Sequence, residues 1–362
     1  MCFLKTVLEP PHYGFADSNG KFIKPTPRQI LKEFFGRMNF VKDRRNWLGA
    51  FSWFMTFLFV IPFVIFFTQY LTFKLFLVGF IYSMVCMGTH GTLYLHRYGT
   101  HRAYKFSSAF WVQICRNWVL KVIPEEIYIV SHHVHHKYSE EAGDPYNVHG
   151  GWLYCFMADA VHQPIARNLS ANDYARVARM VEHTGVKTNS YEQYQRWGSV
   201  CHPVRTIAHY FLNWSAWFGV FYLIGGIPLA MAIFGMAGVW AFGVRTFNYE
   251  GHGRGVDKRR DGIDFNRSDM SINQVWPGYV AGEWHNNHHL YPSSATNWFL
   301  PYQFDGAYLV IKMWHKLGIV SSLRDDSRDF KNKYILGNIE KTAANPADLA
   351  EEIETQTAFV TQ

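Results

Sequence analysis

Histidine is concentrated at three places in this chain: His96-Arg97-Tyr98-Gly99-Thr100-His101, His132-His133-Val134-His135-His136 and His285-Asn286-Asn287-His288-His289. Imidazole ligates iron, zinc and copper, and ligand number, geometry and supply decide which ion is held. Imidazoles grouped in this way can bind more than one transition-metal ion. On an α-helix His132, His135 and His136 stand at i, i+3 and i+4 and project from one face, and His285, His288 and His289 repeat the spacing. His96 and His101, at i and i+5, would diverge by about 140° on a straight helix, so this pair is expected to span a helix end or to serve two different metals. His252, in Asn248-Tyr249-Glu250-Gly251-His252, is a further candidate. For single histidines such as His12, His183, His209 and His315 an ordinary surface or core role is the simpler reading, but chance does not account for three clusters. His90 reads as a satisfied polar residue within an apolar stretch, and His133, His149, His162 and His202 carry no assignment.

The clusters lie just outside the apolar stretches that must position them. Of 362 residues, 49% are hydrophobic and 18% aromatic, which points toward a membrane. No Asp, Glu, Lys or Arg occurs from Trp47 to Phe73, and after Lys74 the next is Arg97. Each stretch can cross a hydrocarbon core of ~30 Å. From Thr206 to Val244 the chain is uncharged for 39 residues, about 58 Å as one helix and too long for one crossing, and Gly225-Gly226-Ile227-Pro228 breaks it. The expected fold is an all-α integral membrane protein: four transmembrane helices, near 50–70, 73–95, 207–226 and 229–248, form two hairpins beneath a cytoplasmic helical cap that holds a histidine-rich dimetal site. The organisation that follows is a cytoplasmic N-terminal segment (1–46), a first hairpin (47–96), a cap with two histidine boxes (97–205), a second hairpin (206–248), a cap with His252 and the third box (249–339), and an acidic tail expected to be disordered (340–362). Segment 107–130, aromatic but interrupted by Arg116 and Lys121, suits a helix lying in the membrane interface, and 165–205 is polar and helix-prone.

Nearly all 35 Lys and Arg fall outside the hairpins, which places the termini and the cap on the cytoplasmic side, in a bacterial inner membrane or in the endoplasmic reticulum membrane of a eukaryote. The net charge of +7 is then a lipid-facing bias, and nucleic acid is not the expected partner. The first apolar segment has the length and position of a permanent anchor. Cys2, Cys86, Cys115, Cys155 and Cys201 are odd in number without a CxxC pair, so reduced thiols are expected.

Boxes of the form H-x4-H, H-x2-H-H and a late H-x2-H-H beside apolar helices resemble the membrane fatty-acid desaturase superfamily, with the strongest likeness to stearoyl-CoA-type acyl desaturases over roughly 45–320. The matching residues are His96-Arg97 with His101-Arg102, His135-His136-Lys137 followed by Asp144-Pro145, Asn248 four before His252, and Trp284-His285-Asn286-Asn287-His288-His289 followed by Tyr291-Pro292. The resemblance implies a non-haem di-iron centre with His96, His101, His132, His135, His136, His252, His285, His288 and His289 as ligands and Asn248 reaching a metal through water. It implies O2 as co-substrate and hydrogen abstraction from an unactivated carbon, with Asp144, Glu250 and Glu283 as carboxylates that orient ligating rings or solvate the surface. The substrate is then a fatty acid or acyl thioester drawn from the membrane lipid phase. Where stearoyl-CoA-type enzymes commonly carry an Arg-Arg pair, this chain reads Tyr146-Asn147-Val148-His149-Gly150-Gly151, which argues for a free acid over a CoA diphosphate. Desaturation leads, with oxidative decarboxylation of a medium-chain fatty acid to a terminal 1-alkene second and hydroxylation third. A metal transporter would need ionisable positions within the spans, which are nearly free of them. With no His-Pro-Gly-Gly haem motif, His202-Pro203 being followed by Val204, and no ferredoxin-like cysteine set, electrons are expected from a separate ferredoxin, rubredoxin or cytochrome with its reductase; cations such as Arg254, Lys258, Arg259 and Arg260 read first as a solvated face and second as a docking surface for an acidic donor.

Overall fold

The computed structural model describes residues 3–255 and 283–336. Within them the chain is mostly helical, and three helical segments are long and apolar enough to cross a membrane: Arg44–Tyr70, Phe73–Thr100 and Pro203–Gly251. Local signals set their ends. Asp43 accepts the Arg45 N–H at 2.9 Å in front of the first. Leu71 leaves the helical region at φ −61°, ψ 115°, and Thr72 caps the second by accepting the Leu75 N–H at 3.2 Å.

The third segment, 49 residues long, is interrupted where the sequence is Gly-Gly. Gly225 (φ −145°, ψ 16°) and Gly226 (φ 68°, ψ −168°) leave the helical region, the second in a conformation that side chains with a Cβ rarely adopt. Across the break Phe234 packs against Trp214 and Phe218, with ring centroids 5.9 and 5.8 Å apart. In an unbroken helix Phe218 and Phe234 would lie about 24 Å apart, so the chain doubles back here. The returning half packs tightly on the first segment. A Cβ at Gly235 would lie 2.8 Å from Phe63 Cα, so only glycine permits this approach. Phe73 and Leu223, at the ends remote from the histidines, stay 81% and 85% exposed, an apolar surface that fits lipid.

Both histidine-bearing segments run past the apolar stretches that mark them, to Thr100 and Gly251, and so carry His96 and Asn248 on helix. Loss of apolar character marks the depth of lipid, whereas backbone hydrogen bonding continues until a cap ends it. The second histidine box rides on Glu125–Tyr138, whose Val130, Val134 and Tyr138 pack against Tyr174, Val177 and Val181 of the Ala171–Val181 helix and against Val7 and Leu8. Segment 107–130 is not one interfacial helix. Ala109–Arg116 is helical, with Phe110 exposed, residues 117–124 are not, and after Pro124 the box-bearing helix begins. Proline disfavours helix in the residue before it and starts one well, which divides the segment there. The all-α expectation also has an exception: Tyr104–Phe106 pairs antiparallel with Val320–Leu323, tying the chain after the first box to the chain after the third. Region 165–205 contains helices Ala171–Val181 and Tyr191–Trp197, capped by Ser170 and Ser190. Cys86, Cys115, Cys155 and Cys201 form no disulfide among the described residues. Cys2, Lys258, Arg259, Arg260 and the tail 340–362 lie outside the described residues.

Candidate metal centre

Nine imidazoles converge in two adjoining groups. His96, His101, His132, His136 and His288 form one, His135, His252, His285 and His289 the other, and within each group the ligand atoms all lie within 4.8 Å of one another. In the first, His96 Nε2 and His288 Nε2 are 2.9 Å apart, His288 Nε2 and His136 Nε2 2.8 Å, and His136 Nε2 and His132 Nε2 3.2 Å. In the second, His285 Nε2 stands 3.0 Å from His252 Nε2 and 3.1 Å from His289 Nε2. The groups adjoin through His136 and His289, whose rings stack at 4.5 Å.

Each of the later two boxes divides its ligands between the groups. From the second, His132 and His136 enter the five-membered group and His135 the other; from the third, His285 and His289 enter the four-membered group and His288 the other. A one-face reading misses this because positions i and i+4 diverge by about 40° whereas i+3 sits about 60° to the other side. Of the two expectations for His96 and His101, the pair does span a helix end, His96 lying on the Phe73–Thr100 segment and His101 capping it, but the two rings do not serve different metals. The end of the Phe73–Thr100 segment is π-wound, the His101 N–H donating to the His96 carbonyl at 3.1 Å, and the wider turn brings the two rings to 4.9 Å within one group. Asn248 lies one turn before His252, whose N–H donates to the Asn248 carbonyl at 3.1 Å.

Behind the rings stand carboxylates. His135 Nδ1 donates to Asp144 Oδ1 at 2.9 Å, and Asp144 Oδ2 accepts the Glu140 N–H at 2.8 Å. Glu140, at φ 63°, accepts from His252 Nδ1 at 2.8 Å. Glu283 faces both groups, with Oε1 3.3 Å from His285 Nδ1 and Oε2 3.2 Å from His96 Nδ1. Sequence reasoning named Asp144 and Glu283 but missed Glu140, which no spacing rule marks. Glu250, the third carboxylate it named, pairs with Arg254 Nε at 2.8 Å, so Arg254 is engaged rather than a bare docking cation. Arg97, in sequence only a neighbour of His96, is fully buried and pairs with Asp305 at 2.8 Å while donating to the Ala295 carbonyl at 2.6 Å, locking the first box to the chain beyond the third. Asn287 does similar work, donating to the Asn297 carbonyl and to Gln303 Oε1, both at 2.8 Å.

Among the described residues three backbone positions outside glycine have positive φ: Arg102, which follows His101; Glu140, which holds His252; and Arg254, two residues beyond His252. Such strain persists where surrounding structure over-determines it. The histidines left out of the constellation have other partners: His90 Nε2 meets the Cys115 carbonyl at 2.7 Å, His209 Nε2 meets Asn117 Oδ1 at 2.7 Å, and His162 stacks on Tyr154. His183 meets the Tyr98 carbonyl, His315 the Val320 carbonyl, and His149 lies 3.6 Å from Glu140.

The donor set suits metal ions. His101 Nε2 and His135 Nε2 are buried without a hydrogen-bond partner, an arrangement that normally costs stability. Burial, reinforced by neighbouring rings, holds His101, His132, His136, His288 and His289 well below the usual imidazole range, so they are neutral with lone pairs available. Burial alone would raise Glu283, but His96 and His285 reverse it and hold the carboxyl below its usual range. Asp144 and Glu283 are thus buried acids facing imidazoles, with no Lys or Arg pairing to them among the described residues. Cations bound by the rings would complete this charge distribution.

The sequence model for the fatty acid desaturase family matches residues 71–303. An acyl-CoA C20 Delta5-desaturase of Anemone leveillei is 26% identical over 278 residues, 73% of this chain and 78% of that protein. An icosanoyl-CoA 5-desaturase of Limnanthes douglasii is 23% identical over 272 residues, 73% of this chain and 69% of that protein. A hex-5-enoyl-(acyl-carrier protein) acetylenase of Moorena producens is 26% identical over 243 residues, 62% of this chain and 70% of that protein.

Proposed function

This chain belongs to the fatty acid desaturase family, and from that premise we propose that it is a membrane di-iron oxidoreductase that introduces a C=C bond into a fatty acyl chain. The observation that carries the reading is the convergence of nine imidazoles in two adjoining groups at the ends of apolar helices. In this reading the doubled-back third segment supplies two crossings, which with the first two segments makes four in two hairpins, and the histidine-bearing ends and the termini face the cytoplasm.

The reaction removes two hydrogens from adjacent carbons and, with O2, two electrons and two protons, yields the alkene and two waters. Iron in both groups would supply the redox chemistry needed to reduce O2 and take hydrogen from an unactivated carbon, which zinc lacks. His96, His101, His132, His136 and His288 would hold one ion; His135, His252, His285 and His289 the other, with Asn248 contributing through water. Asp144, Glu140 and Glu283 accept from the Nδ1–H of His135, His252, His285 and His96, which turns each Nε2 lone pair inward. Burial of seven of the nine rings excludes bulk water. The ring of Tyr128, stacked on His132 at 5.3 Å, adds an apolar wall on which an alkyl chain can rest.

Electrons come from a separate donor of the ferredoxin, rubredoxin or cytochrome type. The acyl head group distinguishes a second reading. Tyr146-Asn147-Val148-His149-Gly150-Gly151 offers no arginine pair to a diphosphate, which favours a free fatty acid and with it oxidative decarboxylation, in which the same oxidant equivalents release CO2 and a terminal alkene.

Iron-loaded protein in detergent, given a reductant system and O2 with saturated acids offered free and as CoA esters, decides by mass spectrometry. An unsaturated acid of unchanged carbon number is expected. A volatile alkene one carbon shorter would establish the second reading, and no oxygen-dependent product from either substrate form would refute both.

A further inference from the structure

Among the carboxylates behind the rings, Asp144 and Glu140 each hold a ligand of the four-membered group, but Glu283 holds one ligand from each group. It is 2% exposed, and both of its oxygens are used, Oε2 at 3.2 Å from His96 Nδ1 and Oε1 at 3.3 Å from His285 Nδ1. A carboxylate only accepts, so both rings must carry their proton on Nδ1 and present a lone pair at Nε2. Those two Nε2 atoms are the ones aimed at His288 and at His252, inside separate groups.

We infer that Glu283 is a shared positioning residue, a single side chain that sets the tautomer and orientation of one ligand at each of two metal positions and so couples their occupancy. The inference rests on the di-metal reading above, but not on the reaction catalysed. Its chemistry is asymmetric under conservative change. In E283Q one oxygen remains an acceptor while the amide nitrogen becomes a donor, so one of the two rings must shift its proton to Nε2 and turn a filled N–H toward the metal position. In E283A both rings lose their orienting partner. D144N is the contrast, since Asp144 touches only His135 of the four-membered group.

The test is cobalt(II) titration of the metal-free, full-length protein in detergent, followed by the visible d–d bands, with bound metal counted by mass spectrometry. The wild type is expected to take up two ions. E283A should weaken both binding steps, by roughly 10–100-fold each, and D144N only one. E283Q, isosteric and able to preserve packing, should weaken at least one step and alter its d–d spectrum while elution and helicity match the wild type. If E283A does not fold, E283Q alone decides. Two wild-type-like steps in E283Q, or a single weakened step in a folded E283A, overturns the bridge while leaving the metal centre intact. A wild type that binds no cobalt removes the di-metal reading, and the inference with it.

Discussion

In one half of the centre five imidazoles converge with a single carboxylate behind them among the described residues, whereas in the other half four imidazoles have three. The two halves therefore reach a binding site by different means. The five-membered group relies on donor number, and one of its outer nitrogens, His132 Nδ1, is buried with no partner. The four-membered group relies on orientation, since His135, His252 and His285 are each fixed through Nδ1. A site with many donors tolerates loss of one, and a site with few, well-aimed donors does not.

The largest effect should come from that contrast. His285→Ala leaves three imidazoles in its group and is expected to abolish product and release one metal ion per chain, whereas His101→Ala leaves four in the other group and should retain both ions; metal counting after gel filtration checks this. Equal metal loss in the two variants would break the comparison. Next is the buried Arg97–Asp305 pair, which anchors the residue beside His96. Asp305→Ala strands a buried guanidinium and should cost about 3–5 kcal/mol, seen as a lower melting temperature in detergent, with the five-membered group losing metal first. Asp144→Asn should be milder for stability and confined to the four-membered group.

The two halves should also differ in acid. A histidine whose folded pKa is depressed binds fewer protons folded than unfolded, so the metal-free protein loses stability as pH falls below the ordinary imidazole value of 6.5. His101, His132, His136 and His288 put four such groups in the five-membered half, and His132→Gln should flatten the fall in melting temperature between pH 7.5 and 5.5; an unchanged slope would count against this account. The smallest effect is expected from His133→Ala, which lies in the second box but in neither group. It should leave metal content unchanged and shift stability by no more than about 1 kcal/mol.

The clusters, the apolar segments and the Gly-Gly break are visible in the sequence because each is a local signal of composition or spacing. How the ligands divide between the groups is not visible, because an ideal helix places His132, His135 and His136 on one broad face and only the position of the third box decides which ring turns which way. The joining of His96 to His101 depends on π-winding, which a 3.6-residue period cannot show. Glu140 and Asp305 carry no spacing relation to the histidines they support, and their roles arise only from tertiary contact.

The crosswise sharing of ligands between the second and third boxes also makes both halves depend on the part of the chain that is synthesised last. His96 and His288 are 192 residues apart in the chain, so completing either group closes a very long loop. Before residue 285 is made, the growing chain already holds His96, His101, His132 and His136, a four-donor half, while the other half has only His135 and His252. A chain that stops before the last box therefore lacks one donor of the first group but two of the second, and since that box also decides which way the rings of the second box turn, neither half is expected to be complete without it.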